Sequence, residues 1–434
     1  MTHRGGGGRS IRNPALGRVE GEGGLRLTLD SDGVRDVHLD IFEPPRFFEA
    51  FLRGRAHTEP PDITARICGI CPVAYQMSAC LAIEDACGVE VTGPIDDLRR
   101  LVYWGEWIES HALHIHLLHA PDFLGVPSGI ALAELDREAV ERGLALKQAG
   151  NDLVELVGGR PIHPVNVRVG GWYRVPRARE LRTLLDPLRV ARDRALEVVE
   201  WVAGFERPSL EVEHEVLALH DGTSYAVLHG RVASDGGLDL ASSDLEHRVV
   251  EHQVRHSTAL HARTSTGGRY LVGPMARFRL NHGLLGSLAR EAADAAGLDP
   301  AGRNPFDSVV VRAVETLHAC DEAVALIERY VEPDVAAVPV EPRAGVGHGV
   351  TEAPRGLLYH RYELDDDGTI LDARIIPPTS QNQAAIEEDL RRLAERHLDA
   401  TDDELQQLCE HAIRNHDPCI SCATHFLDLV VDRR

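Results

Sequence analysis

Residues 66–72 read Arg66-Ile67-Cys68-Gly69-Ile70-Cys71-Pro72, and residues 417–422 read Asp417-Pro418-Cys419-Ile420-Ser421-Cys422. Each stretch holds a Cys-x-x-Cys, one in the first fifth of the chain and one close to its end. Proline suits the first helical position, where no amide donor is needed, so Pro72 predicts that Cys68 and Cys71 stand just ahead of a helix. Asp417-Pro418 carries a similar signature, an N-cap side chain followed by proline, and predicts a helix with Cys419 and Cys422 in its first turns. Amides and dipole at such a terminus favour the thiolate, the form that binds metal. Four thiolates from two distant segments would then converge on one soft metal centre. The pairs of a zinc ribbon lie roughly 15–20 residues apart, far closer than these. Ligand softness alone puts zinc or an iron–sulfur cluster ahead of nickel and leaves all three open.

A chain that joins its two ends at one centre calls for a single unit rather than separate beads. The 434 residues are 43% hydrophobic and 26% charged, the balance of an ordinary globular protein. No internal repeat and no clean linker interrupt them, so residues 1–434 read as one large, mainly helical α+β domain. Residues 1–12, which contain four glycines, read as a mobile end, and 426–434 as a short tail. The net charge of −22 repels phosphate backbones and anionic headgroups, which excludes nucleic acid as a partner. No stretch approaches the ~18–20 apolar residues of a spanning helix, and no apolar run follows the basic start. No membrane insertion is therefore expected, and the expected location is cytoplasmic. Eight cysteines are too few for a disulfide scaffold. Cys80, Cys87, Cys320 and Cys409 read as buried structural residues.

Alternation of Leu25, Leu27 and Leu29 with polar residues, a turn at Asp30–Gly33, and alternation of Val37, Leu39 and Ile41 predict a β-hairpin. Three- and four-residue apolar spacing predicts helices near 72–87, 96–119, 133–157 and 178–205, with others at 283–296, 308–331, 382–397 and 402–415. Residues 209–275 suggest a few strands, and 332–349, rich in Pro, Val and Gly, a long connection. A second hairpin runs from Leu357 to Ile376 about Asp365-Asp366-Asp367-Gly368. Arg355 and Thr379 lie about equally far from that turn on opposite strands, so they should meet at its open end.

The two cysteine motifs, the second extended to His425, resemble the paired end motifs of the large subunit of nickel–iron hydrogenases. Arg18-Val19-Glu20-Gly21 resembles that family's N-terminal motif, and Arg46-Phe47-Phe48-Glu49 its next one. His111-x-x-His114, then His119 and Asp122, resembles its histidine helix. Ala353-Pro354-Arg355-Gly356 and Pro378-Thr379-Ser380-Gln381-Asn382 are similar to two later motifs. These blocks run in family order from residue 18 to 425. The form of the Arg355 motif and the overall length look most like the cytoplasmic, bidirectional, NAD(P)-linked group.

The resemblance implies reversible heterolytic cleavage of H2 at a nickel–iron centre whose iron carries carbon monoxide and cyanide. Cys68 and Cys419 would be terminal nickel ligands, and Cys71 and Cys422 would bridge nickel to iron. Arg355 would cover the open face of the metals, with Pro354, Pro378 and Thr379 framing the diatomic ligands and Thr379 donating to a cyanide. Glu49 and His425 would hold magnesium. Glu20 would receive protons from the Cys419 side, and Asp122 and Asp417 would orient Arg355. Splitting dihydrogen into unlike charges needs a Lewis acid with a base beside it, and a terminal thiolate or the Arg355 guanidine could be that base. Taken alone, Glu20 and Glu49 would read as surface carboxylates, and His111, His114, His116 and His119 as packing or surface histidines, with His116 facing away from the other three.

Two positions depart from the family pattern. Tyr75 stands where the family often has histidine, and a phenol does not titrate near neutral pH. Nine residues follow His425, where many relatives carry a longer tail that a maturation peptidase removes. The four remaining cysteines lack cluster-binding spacing, so the electron path would lie on partner subunits: a small iron–sulfur subunit, then flavin and NAD(P)-binding subunits. No Gly-x-Gly-x-x-Gly follows a strand in this chain. Two rivals are a structural four-cysteine zinc protein and the related quinone-module subunit of complex I. The first leaves Glu20, Arg355 and Thr379 unexplained, and the second lacks the four cysteines.

Overall fold

The first predicted hairpin forms as β2 (Gly23–Asp30) and β3 (Gly33–Ile41) in a computed structural model that describes residues 9–424. Alternation works as expected: Leu25, Leu27, Leu29, Val37, Leu39 and Ile41 all face one buried layer. A further strand, β1 (Arg9–Asn13), pairs antiparallel with β2. Residues 9–12 are thus part of a sheet, and the expectation of a mobile end is corrected there. Ile11, turned inward, supplies the apolar contact that holds them. The glycine run lies outside the described residues.

Helix α1 (Pro72–Cys87) follows the first cysteine motif as predicted. It is buried on nearly every face, which marks a central element rather than a surface one. Helix α2 (Pro94–Leu113) crosses α3 (Arg137–Gly158) where glycines meet: a Cβ on Gly150 would lie 2.6 Å from the Gly105 carbonyl oxygen. Helix α4 (Leu185–Ala203) completes this layer, and the 209–275 region forms short strands, among them the hairpin β4 (Val249–Val254) and β5 (Ser257–Thr264). Helix α5 (Ser308–Arg329) packs against α2 and α4, and the apolar faces of α1–α5 share one core.

The segment 332–349 is not wholly a connection. Its last residues open β6 (Gly345–Ala353), which pairs antiparallel with β7 (Gly356–Leu364), itself paired with β8 (Ile370–Ile376). The glycines that suggested a loop have a packing reason. Gly347 and Gly349 share the face of β6 laid on α1, where an added Cβ would collide with the backbone of Ala82 and Ser78. Close approach locks the helix behind the first cysteine pair to the sheet that ends at Arg355. Helices α6 (Pro378–Arg396) and α7 (Asp402–Asn415) then return the chain to the centre. The α+β expectation is borne out. Among the described residues no helix is long and apolar enough to cross a membrane.

Candidate metal centre

The two Cys-x-x-Cys motifs meet. Cys68 Sγ lies 3.4 Å from Cys419 Sγ, and Cys71 Sγ lies 3.8 Å from Cys422 Sγ, all four residues buried. They are the four members of one group whose ligand atoms lie within 4.8 Å of each other. Cys68 is extended after a 3₁₀ turn, and Cys71 occupies the N-cap of α1 ahead of Pro72. Glu106 of α2 accepts the first amides of that helix, from Val73 at 2.6 Å and Ala74 at 3.1 Å, so the helix start is satisfied by a buried carboxylate.

The second motif differs from expectation. Asp417 caps no helix. It adopts a left-handed backbone (φ 51°), Cys419 bridges in parallel to Glu20, and Cys422 lies in a short 3₁₀ turn, Ser421–Ala423. Its carboxylate is committed elsewhere: Arg355 donates through Nη2 to Asp417 Oδ1 at 3.0 Å and through Nε to the Asp417 carbonyl at 2.8 Å. Asp417 therefore serves the guanidinium rather than a helix start, and the helix terminus beside Cys419 is that of another segment, which begins at Pro378.

The motifs around the cysteines converge on the same two segments. Ile420 donates its amide to the Glu20 carbonyl at 3.1 Å, and Ser421 donates to Glu20 Oε2 at 3.1 Å. Gly21 follows with φ +89°, and a Cβ there would fall 2.7 Å from Ile420 Cβ, so only glycine lets this loop lie against the cysteine segment. Thr379 at the start of α6 accepts the Cys419 amide at 3.0 Å through Oγ1, which leaves its own proton to be aimed elsewhere. Arg355 and Thr379 therefore both border residues 417–419 beyond the open end of the second hairpin, but neither lies on a strand as expected: Arg355 sits in the turn between β6 and β7, and Thr379 in the first turn of α6. Arg46 donates to the Ile67 carbonyl at 2.7 Å and to the Ser421 carbonyl, clamping one cysteine segment to the other. Its motif was legible in the sequence, but this clamp was not.

Asp122 does not contact Arg355. Its carboxylate is held by Arg18 (2.6 Å) and Arg414 (2.7 Å), and it connects to Arg355 indirectly, through Arg414, whose carbonyl accepts the Asp417 amide at 2.9 Å. Glu49 is buried and accepts the Ile375 amide at 2.7 Å, and burial pushes its carboxyl up to about 8. His425 lies outside the described residues. The histidine segment continues α2 as a π-turn, His114–His119, with all four histidines buried rather than exposed. The wider turn brings the His114 and His119 rings to 5.1 Å of each other while His116 stacks on Trp201.

A second buried polar cluster, largely hidden in the sequence, supports Arg355 from behind. Arg277 donates to both oxygens of Glu315 (2.8 Å each), to Glu352 (3.0 Å), and to the carbonyls of Ala353 and Pro354 (2.9 Å each). Tyr225 and His111 complete the coordination of Glu315. Glu352 directly precedes the Arg355 motif, and His111 belongs to the histidine motif; these were the available signals.

The electrostatics suit a cationic guest. Hydrogen bonds from Cys419, Cys422 and Cys71 hold the Cys68 thiol well below its usual range, whereas burial pushes Cys419 and Cys422 up. Four thiolates cannot be buried together without a cation. Among the described residues, the donor Arg355 Nη1 and the acceptor Asp417 Oδ2 are buried there without a hydrogen-bond partner, and the Tyr75 hydroxyl lies against Cys422. Such groups are rare in native interiors. Four soft ligands beside an idle guanidinium N–H fit a soft metal centre that carries small hydrogen-bond acceptors.

Residues 46–141 match the family model described as nickel-dependent hydrogenase. Over 95% of its length the chain is 34% identical to sulfhydrogenase 1 subunit alpha of Pyrococcus furiosus, 97% of which is covered. It is 28% identical, over 94% of this chain and 93% of the relative, to the NAD-reducing hydrogenase HoxS subunit beta of Cupriavidus necator. Among solved structures, an NAD+-reducing nickel–iron hydrogenase in its H2-reduced state superposes with a TM-score of 0.85 at 30% identity, covering 96% of this chain and 99% of that one.

Proposed function

The chain belongs to the nickel-dependent hydrogenase family, and on that premise we propose how its own residues divide the work of splitting and re-forming dihydrogen. It is the hydrogenase large subunit. Cys68 and Cys419 would hold nickel terminally, and Cys71 and Cys422 would bridge it to an iron bearing carbon monoxide and cyanide. The observation that carries this reading is the pairing of the thiols across the motifs, 68 with 419 and 71 with 422, beside the unpartnered Arg355 Nη1 donor. When bound, the centre would supply the Lewis acidity that a nonpolar, very weakly acidic substrate requires.

The protein supplies the base and the surroundings. Burial opposes the charge on Arg355, but Asp417 and the thiols hold it as a guanidinium, which makes it a poor proton acceptor. Cys419 Sγ is then the better base of the two left open by the sequence. Its proton would pass to Glu20, whose backbone is bridged to Cys419 and whose carboxylate already faces Ser421. Glu20 is only half buried, so it leads outward. Arg355 Nη1 would donate toward the diatomic ligands from one side and the Thr379 hydroxyl from the other, with Pro354 and Pro378 as the apolar frame. Tyr75 would hold no titrating role there: burial drives its phenol well above the usual range.

Glu49, with His425, would bind magnesium, which would relieve the buried charge. Electrons would leave through an iron–sulfur small subunit toward flavin and NAD(P)-binding subunits in a cytoplasmic complex; the relatives' names, an alpha and a beta subunit and one of them NAD-reducing, support partner subunits and the NAD linkage. Maturation factors would insert the metals. The direct test is isotope exchange between D2 and water, which reads proton handling without an electron acceptor. The intact complex should form HD, Cys419→Ser should abolish it, and Glu20→Gln should slow it at least tenfold. Undiminished exchange in Glu20→Gln would remove Glu20 from the path.

A further inference from the structure

About two turns along α6 from Thr379, β3, the β4–β5 hairpin and α6 bring three imidazoles around one carboxylate. His256, in the hairpin turn, places Nε2 2.8 Å from Glu387 Oε1. His38, on the outward face of β3, stands with Nδ1 4.0 Å from the same oxygen, and its ring centre lies 4.1 Å from that of His256. The ligand atoms of these three residues all fall within 4.8 Å of each other. His261 on β5 sets its ring perpendicular to His256 at 5.4 Å.

We propose that His38, His256 and Glu387 form a binding site for a divalent transition cation of the zinc class, with His261 as the nearest further donor. Two observations support a ligand here. His38 Nδ1 and His261 Nε2 are buried atoms with no hydrogen-bond partner, which two solvated surface histidines would not be. The donor set, two imidazoles and a carboxylate with positions left over, is the set such cations take. Ligand atoms on one tetrahedral zinc stand roughly 3.3 Å apart, given bonds near 2.0–2.1 Å, so small side-chain rotations would close the site. The Leu39 amide donates to Glu387 at 3.1 Å, fixing the carboxylate as a metal site's outer contacts do.

Occupancy would staple the N-terminal sheet and the β4–β5 hairpin to α6, the helix whose first turn carries Thr379. The site shares no residue with the cysteine centre, so its failure would leave the hydrogenase reading untouched. The test uses the intact, tag-free heteromeric enzyme, equilibrated with zinc ion and desalted. One zinc per chain should be retained beyond the untreated level. Zinc-edge X-ray absorption should show nitrogen and oxygen neighbours with imidazole scattering. His256→Gln and Glu387→Gln should each weaken retention at least tenfold at unchanged nickel content, and His38→Gln, at the more exposed position, provides a second variant should either fail to assemble. No retained zinc, sulfur in the first shell, or undiminished affinity in the variants would overturn the site.

Discussion

Arg277 and Arg355 are both buried guanidinium groups, and the first donates to the carbonyl of the residue just before the second. All five N–H donors of Arg277 are used, by two carboxylates and two carbonyls. Among the described residues Arg355 hydrogen-bonds to Asp417 alone, and its Nη1 has no partner. One cluster is closed and the other is open. A closed buried ion pair serves as scaffold, because removing one partner strands the other's charge. An open one is tolerated only where something else completes it, and here it borders four thiols. The difference separates the residues that hold the centre's shape from those that face the chemistry.

The comparison can be broken from either side. Cys419→Ser should have the largest effect: nickel lost and H2 oxidation down by three orders of magnitude or more, while circular dichroism of the assembled complex stays native. Arg355→Lys keeps a charge for Asp417 but removes the planar fork, so activity should fall about 10²–10³-fold with the melting temperature nearly unchanged. Arg277→Met should do the reverse. It strands Glu315 and Glu352 and should cost about 3–5 kcal/mol in denaturant unfolding, with activity per folded molecule largely kept. Equal losses of stability in the two arginine variants would erase the distinction drawn between them.

A smaller effect sharpens the picture at Glu49. Its carboxyl in the fold titrates near 8, above its ordinary 4.5, because burial disfavours the charge. A raised acid contributes stability below its unfolded pKa and loses it as pH climbs through the folded value. Magnesium-depleted enzyme should therefore lose up to a few kcal/mol between about pH 4.5 and 8, and Glu49→Gln should flatten that slope. Thermal melts across this range, with and without chelator, check it.

Much of this was legible in the chain. Short, strongly patterned signals transferred directly: the alternation around Leu27 and Leu39, the proline after Cys71, and the symmetric placement of Arg355 and Thr379 about the hairpin turn, which brings both to residues 417–419 although neither lies on a strand. What failed did so where tertiary contacts override local rules. Asp417-Pro418 carries a helix-start signature, yet Arg355 takes the aspartate that would have capped it. Gly345, Gly347 and Gly349 read as a loop, yet they let a strand lie against α1. Asp122 was grouped with Arg355 and instead holds Arg18 and Arg414. Of the Arg277 network only His111 lay in a quoted motif, because the other members come from helices and strands distant in the chain and each alone is an ordinary polar residue.

The central claim, that the open cluster encloses a nickel–iron centre with diatomic ligands, is tested most directly by an infrared spectrum of the complex purified with its partner subunits from a host that builds the cofactor. The account predicts one carbonyl band and two cyanide bands, in the window free of protein absorption. An empty window, with zinc on the four cysteines in place of nickel and iron, would contradict it.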